Sequence, residues 1–473
     1  MAFVDDFTAW IIGESAERNT RMIQSQILPL LAKWEKESGA VFEASKTAFI
    51  HFTRNGSLQR DSNMPLCFKG DWIQPAPSIK VLGVILDQGL RFKEHLARVS
   101  AKAYKAALAL KRLRGLRPSS VRQLFQATVA PVMDYASPVW YLASPNKTLK
   151  LMERAQRVAA QAIIGGFRTM AMAVAEVEAG IPSIRQRLHD QTLRFWISIH
   201  KLNRSHPHSK LAKTKGTRRF LSPLGKAAMM FRSIRAERAA PLPVVGCEPW
   251  CPKPRVYILA KDQAKEATRP GTRTIDFYTD GSVRNERAGI GIWCTSSATS
   301  FEVSAIIGRA DETNVLHTEL EAIWRAIRGI SHERSRGFQI RVFTDSQAAL
   351  QNIRKPKVND SINLVMEIRK KIRKGTFSLH WVPAHEGIEG NERAHELAQR
   401  ATENTSQLPP RALAVPISVI YAEAKKAAFK PTVDSFYGSK VGKFLKKIDK
   451  ALPGKHTKKL YNCLGRMDAA ILS

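Results

Sequence analysis

The sequence predicts an α/β unit with a mixed sheet in its C-terminal half, preceded by an α+β region that is mostly helical. Three observations lead there. Between residues 273 and 403, runs of strand character alternate with runs of helical periodicity. From Phe92 to Gly165, apolar residues recur at the three- and four-residue spacing of amphipathic helices. Residues 204–272, rich in Pro, Ser, Lys and Arg, separate the two patterns and read as a basic linker.

In chain order, RMIQSQILPLLAKWEKES (21–38) is amphipathic and reads as a helix. SKTAFIHF (45–52) and SIKVLGVILD (78–87) are β-rich. The segment from Phe92 to Arg114 is helical and strongly basic, and 121–141 and 150–165 are further helical stretches. This divides the first region into a strand-containing part, 1–90, and a helical part, 91–203. Within the linker only 226–238 carries a weak helical pattern. The C-terminal unit then runs TIDFYTD, AGIGIWC, HTELEAIWRAIRGI, IRVFTD, SQAALQNI, FSLHWVP and NERAHELAQRAT. A Lys-rich tail, 404–473, follows, with a helical pattern in YGSKVGKFLKKIDKAL.

Charge narrows the function. The 473 residues hold 75 Lys+Arg against 41 Asp+Glu, a formal net charge of +34. A surplus of that size favours polyanionic partners, nucleic acid first, because phosphate neutralisation supplies most sequence-independent affinity. Basic helices such as AYKAALALKRLRGLR (103–117) would serve non-specific binding of DNA or RNA. Five cysteines make no disulfide framework, and Cys247 and Cys251 lack the partners of a zinc site, so reduced thiols of an intracellular protein are expected. Acidic residues at positions 5 and 6 argue against a signal peptide, and no run of 18 apolar residues would span a membrane. No obligate protein partner is expected.

Three carboxylates carry the chemistry. TIDFYTD ends in Asp280 and IRVFTD ends in Asp345, and acids at strand ends lie at the rim of a sheet, where ligands are met. On the helix between them, Leu316, Leu320, Ile323 and Ile327 form the apolar stripe. Glu319 falls at the edge of that stripe, able to reach a partly buried site, whereas Glu321 points away and is expected to be solvated. Acids converging from two strands and one helix suit a hard cation, Mg²⁺ or Mn²⁺.

In order, TDGS, TELEAI, TDSQAAL and WVPAHEGIEGNERA…LA resemble the type 1 ribonuclease H family, which cleaves RNA in RNA–DNA hybrids. The resemblance covers about 130 residues, 273–403. It implies a mixed five-stranded sheet with helices on both faces. It also implies that Asp280, Glu319 and Asp345 are the metal-binding carboxylates of a catalytic site holding two Mg²⁺ ions, with Mn²⁺ as the alternative. One ion would activate water and the other would stabilise the leaving 3′ oxygen. His385 matches a loop histidine that assists proton transfer or product release. The family's fourth carboxylate is replaced here by His395, a poorer Mg²⁺ ligand, so impaired activity with a preference for Mn²⁺ is expected. Glu392 and Glu396 lie farther round that helix and do not substitute. Ala384 stands where the family commonly has Gly.

The first region has a resemblance of its own. FVDD near the start, then SKTAFIHF and KVLGVILDQGLRFKEH, resemble the palm-to-thumb part of non-LTR retrotransposon reverse transcriptases. LFQATVAPVMDYASPVWY and RAQRVAAQAIIGGFRT are similar to those elements' connection to RNase H. Asp5 and Asp6 then read as a relic polymerase metal site in a truncated palm, with polymerase activity lost and the first 90 residues only marginally stable. Two functions remain open: a metal-dependent hybrid ribonuclease, and a catalytically impaired nucleic-acid-binding remnant. The charge and the type of element point to the nucleus.

Overall fold

The structure, a computed structural model, describes residues 2–3, 6–53, 63–113, 115–144, 146–203, 205–206, 208–209, 221–234, 236–239, 241–242, 252–295, 301–330, 337–357, 361–373, 377–403, 415–425, 447, 449–450 and 455–472. The chain divides into two units, residues 1–192 with 431–473, and residues 193–430.

In the first unit, the amphipathic stretch near residue 21 is helical from Ala16 to Ser38, through a π-helical turn at Ile23–Ile27. Ser15 Oγ caps its start by accepting the Arg18 N–H, and Gly39 ends it at φ +74°. Residues 45–52, expected as a strand, form none. Phe49 and His51 are buried at alternate positions, but the backbone bonds here, Ala76 N–H to Phe49 O and Thr53 N–H to Gln88 O, are isolated and build no ladder. The β-rich run at 78–87 is a hairpin of Ser78–Val81 with Val84–Asp87. Its turn, Leu82–Gly83, takes positive φ at both positions, as a two-residue turn matching strand twist requires.

The helices Lys93–Arg112 and Asn146–Ile164 pack against each other, with Ala103, Ala107, Ala155 and Ala159 all fully buried. Small side chains there let two helices approach closely. Leu96, Met133, Trp140, Met152 and Ile163 fill the remaining core. Part of the expected Lys-rich tail completes this core. Helices Lys455–Cys463 and Arg466–Leu472 bring in Tyr461, which is buried against Glu178, and Asn462, whose Oδ1 accepts from Arg122 Nη1. The tail helix expected around 437–452 lies almost wholly outside the described residues.

The second unit is built on one sheet. In chain order its elements are β1 (Val256–Tyr257), α1 (Lys261–Glu266), β2 (Thr274–Arg284), β3 (Arg287–Thr295) and β4 (Phe301–Arg309). Then come α2 (Val315–Arg328), β5 (Gln339–Thr344), α3 (Gln347–Arg354), α4 (Ile362–Arg373), β6 (Phe377–Trp381) and α5 (Glu389–Glu403). The sheet order is β4-β3-β2-β5-β6-β1. The pairs among β2, β3 and β4 are antiparallel, and those among β2, β5, β6 and β1 are parallel.

The sheet therefore has six strands where five were expected. The extra strand, β1, comes from the segment read as linker, and α1 comes with it. Ala264 of α1 is fully buried, and Arg341 donates to the carbonyls of Ala267 and Arg269. The helical pattern at 226–238 resolves into Pro223–Met230 and a short turn at Ala236–Arg238.

Alternation along β2 assigns the two faces. Phe277 joins Ile290, Ile292, Leu320, Ile323, Val342, Leu350 and Val365 in the larger core, beneath α2, α3 and α4. Tyr278 faces the other way, with Phe343, Val382 and Ala394 of α5. On this second face the five central and edge strands each contribute one ring. Trp293, Tyr278, Phe343, His380 and Tyr257 form a row with successive centroids 5.8, 4.8, 5.1 and 4.9 Å apart. Asp280 and Asp345 lie two residues farther along the same face than Tyr278 and Phe343.

Candidate metal centre

The site begins with how close the backbones can come. A Cβ at Gly281 would sit 2.8 Å from Glu319 N and 2.9 Å from the Thr318 carbonyl carbon, so only glycine lets the first turns of α2 lie against β2. Asn314 Oδ1 caps α2 by accepting the His317 N–H, which fixes where the helix starts. Thr279 of β2 pairs with Thr344 of β5, which places the next residues, Asp280 and Asp345, side by side. Asp280, Glu319 and Asp345 consequently offer oxygen atoms that all lie within 4.8 Å of one another. Among the described residues this is the one such cluster of three.

Its electrostatics follow from burial. Glu319 is 5% exposed, and burial holds its carboxyl well above the ordinary carboxylate range; Asp280 and Asp345 push it further. One N–H, from Gly281, opposes them. Burial and then Asp280 also raise Asp345, against His395, His385 and Asn391. Glu319 Oε2 is buried and accepts no hydrogen bond from the protein. Carboxylates brought together against their own repulsion, with an acceptor left over, fit a hard divalent cation. The donor set is all oxygen, as Mg²⁺ or Mn²⁺ prefers.

His395 reaches the cluster from α5. Its Nδ1 lies 2.8 Å from Asp280 Oδ2, while its Nε2 meets Gln399 Nε2. With the Gln399 amide so oriented, one neutral tautomer satisfies both contacts: Nε2 accepts from Gln399 and Nδ1–H donates to Asp280. Two glycines set the depth of α5. A Cβ at Gly291 would fall 1.9 Å from Ala394 O, and one at Gly289 would fall 2.6 Å from Ala401 Cβ. His385, at φ +54°, stands edge-on to His395 with centroids 5.4 Å apart.

The other acids expected near the site are elsewhere. Glu392 accepts the Gly387 N–H and Glu396 pairs with Arg393. Glu321, expected to be solvated, is instead half-buried and pairs with Arg325 one turn on at 2.8 Å; it takes no part in the carboxylate cluster. Asp6 is exposed on a two-residue strand paired with Ala2–Phe3, and Asp5 lies outside the described residues, as do Cys247 and Cys251. Sequence reasoning missed Gln399 and Asn391. Gln399 is signalled by its place one helical turn after His395. Nothing in the sequence marks Asn391 as facing Asp345.

A mixed sheet with helices on both faces and acids at one rim is the RNase H-like fold. Residues 272–403 match the RNase H family and form an RNase H domain. Over 215 residues, 44% of this chain, the protein is 23% identical to a protein of 115 kDa in a type-1 retrotransposable element of Drosophila melanogaster. It spans 20% of that relative's length. Among solved structures, an RNase H1 isolated from compost by a metagenomic approach is 24% identical, covering 28% of this chain and 97% of its own, with a TM-score of 0.23. The N-terminal RNase H domain of a Mycobacterium tuberculosis protein, solved as a fusion with maltose-binding protein, is 20% identical. It covers 27% of this chain and 98% of its own, again with a TM-score of 0.23. Among the described residues, no helix is long and apolar enough to cross a membrane.

Proposed function

We propose that the chain is a metal-dependent ribonuclease H that cuts the RNA strand of RNA–DNA hybrids, carried in a protein of non-LTR retrotransposon origin. The observation that supports it most directly is the buried three-carboxylate cluster inside a segment matching the RNase H family. Asp280, Glu319 and Asp345 would hold two divalent cations, Mg²⁺ by preference for oxygen. When bound, such cations supply an activated water and charge stabilisation at the leaving oxygen. The protein's own part is to fix three acids at one rim, to exclude water around Glu319, and to place His385 where a proton can pass to or from the cleaved strand. The exposed face of helix Lys93–Arg112 carries Arg98, Lys102, Lys105 and Arg112, which favours non-specific attraction to nucleic-acid backbones. The origin is supported by the retrotransposon relative and by the motif order in both regions.

One observation favours a second reading, a catalytically impaired nucleic-acid-binding remnant. His395 donates to Asp280 Oδ2, so an oxygen that a cation needs is engaged, and a negative charge near it is missing. Cleavage of a labelled RNA–DNA hybrid by the full chain, in Mg²⁺ and then Mn²⁺, beside Asp280→Asn and His395→Asp, separates the two. We expect weak cleavage that improves in Mn²⁺, is abolished by Asp280→Asn and rises about tenfold or more with His395→Asp. No cleavage in any form, His395→Asp included, would leave the binding remnant. Primer extension by the same preparation is expected to yield no product, and extension of a primer would overturn the reading of Asp5 and Asp6 as a relic site.

A further inference from the structure

We propose that residues 252–271, upstream of the segment matching the RNase H family, clamp the loop that carries His385, with Glu386 as the positioning residue gripped by Lys261 and Lys265. The inference rests on the reading of His385 as part of the nuclease site. It starts from an uncommon backbone conformation. Within three residues of the loop following β6, His385 takes φ +54° and Gly387 φ +69°. The left-handed region suits Gly387 and is uncommon for any residue with a side chain, histidine adopting it more readily than most, so contacts from neighbouring elements help to hold His385 there.

Two elements contact the loop. From α5, Glu392 Oε1 accepts the Gly387 N–H at 3.1 Å. From α1, Lys261 and Lys265 both pair with Glu386, Lys265 Nζ lying 2.9 Å from Oε2 and Lys261 on Oε1. These two ammonium groups draw the Glu386 carboxyl down to about 2.

The grip has an anchor. β1 pairs in parallel with β6, the strand that leads into the loop, and the Leu379 N–H donates to Arg255 O. Arg341, itself held by Asp276, binds the carbonyls of Ala267 and Arg269 just beyond α1. A continuous path runs from the sheet through Arg341 to α1, from α1 to Glu386, and from Glu386 to its neighbour His385. Exposed ion pairs are individually weak, so the clamp should tune the loop rather than switch it.

The test uses the full chain with E386Q, the double variant K261A and K265A, and the charge-swapped triple variant E386K with K261E and K265E. Hydrogen exchange is followed for the amides of 383–388, and hybrid cleavage is resolved into kcat and KM. Exchange in 383–388 is expected to accelerate in E386Q and in the double variant, without change in β2 or β5, and to return towards wild type in the swap. In the same variants kcat is expected to fall about three- to tenfold at constant KM. Unchanged exchange in E386Q overturns the clamp, whether or not the chain cleaves. A KM that rises in the double variant and falls in E386Q also overturns it, because the lysines would then serve the nucleic acid. A wild type that cleaves nothing tells against the nuclease reading alone, and the exchange measurement still decides the clamp.

Discussion

Glu319 shows how much of the site is decided by one side chain. Its carboxyl is raised by burial and by two neighbouring acids, so the native state binds a proton that the unfolded chain has already lost above the ordinary carboxylate value of 4.5. An acid whose native pKa exceeds its unfolded one stabilises the fold below the unfolded value and forfeits that stability as pH rises through the native value. Glu319→Gln removes the charge that the metal-free domain resists. In chelator, the variant is expected to melt roughly 2–4 °C above wild type at pH 8 and level with it near pH 4. A lower melting temperature at pH 8 would refute repulsion as the dominant effect. Magnesium should raise the melting temperature of the wild type and leave the variant unmoved. The acids themselves were legible in the sequence, since strand-end Asp residues and a Glu at the edge of an apolar stripe are chemical signals carried by local pattern. The bond from His395 to Asp280 was not, because it depends on how deeply a helix is seated on the sheet.

That depth is a property of two elements, β3 and α5. Gly291→Ala places a methyl group 1.9 Å from the Ala394 carbonyl, so α5 must lift and carry His395 away from Asp280. A loss of about 1–3 kcal/mol or more is expected from urea denaturation midpoints. Gly308→Ala, on neighbouring β4 with open space around it, is the control and should change stability by no more than about 0.5 kcal/mol. The strands and helices between 273 and 403 could be read from alternation and periodicity because each is long enough to repeat its period. β1 could not: two residues amid Pro and Lys carry no period, and only the open edge of β6 makes them a strand. Residues 45–52 erred in the opposite sense. They alternate as a strand does, yet among the described residues meet no partner to ladder with.

Over the whole molecule, domain limits drawn by composition and those drawn by packing diverge. A fragment beginning at residue 273 would keep every element of the RNase H resemblance while exposing the edge of β6 and the socket of Ala264. Compared with a fragment of 252–403, it is expected to lose roughly 1–3 kcal/mol in chemical denaturation. Equal midpoints would show that β1 and α1 add nothing to the unit. The basic character of 204–272 was legible, but its partial order was not. The carbonyl contacts of Arg341 belong to tertiary structure and leave no trace in composition.

The docking of helices Lys455–Cys463 and Arg466–Leu472 onto the first unit makes the second unit an insertion within the first. During synthesis at about 5–20 residues per second, the inserted unit is complete and free to fold while the first still lacks Tyr461. For tens of seconds the pocket beside Glu178 stands open, and of the two units the one begun earlier is the later to be finished.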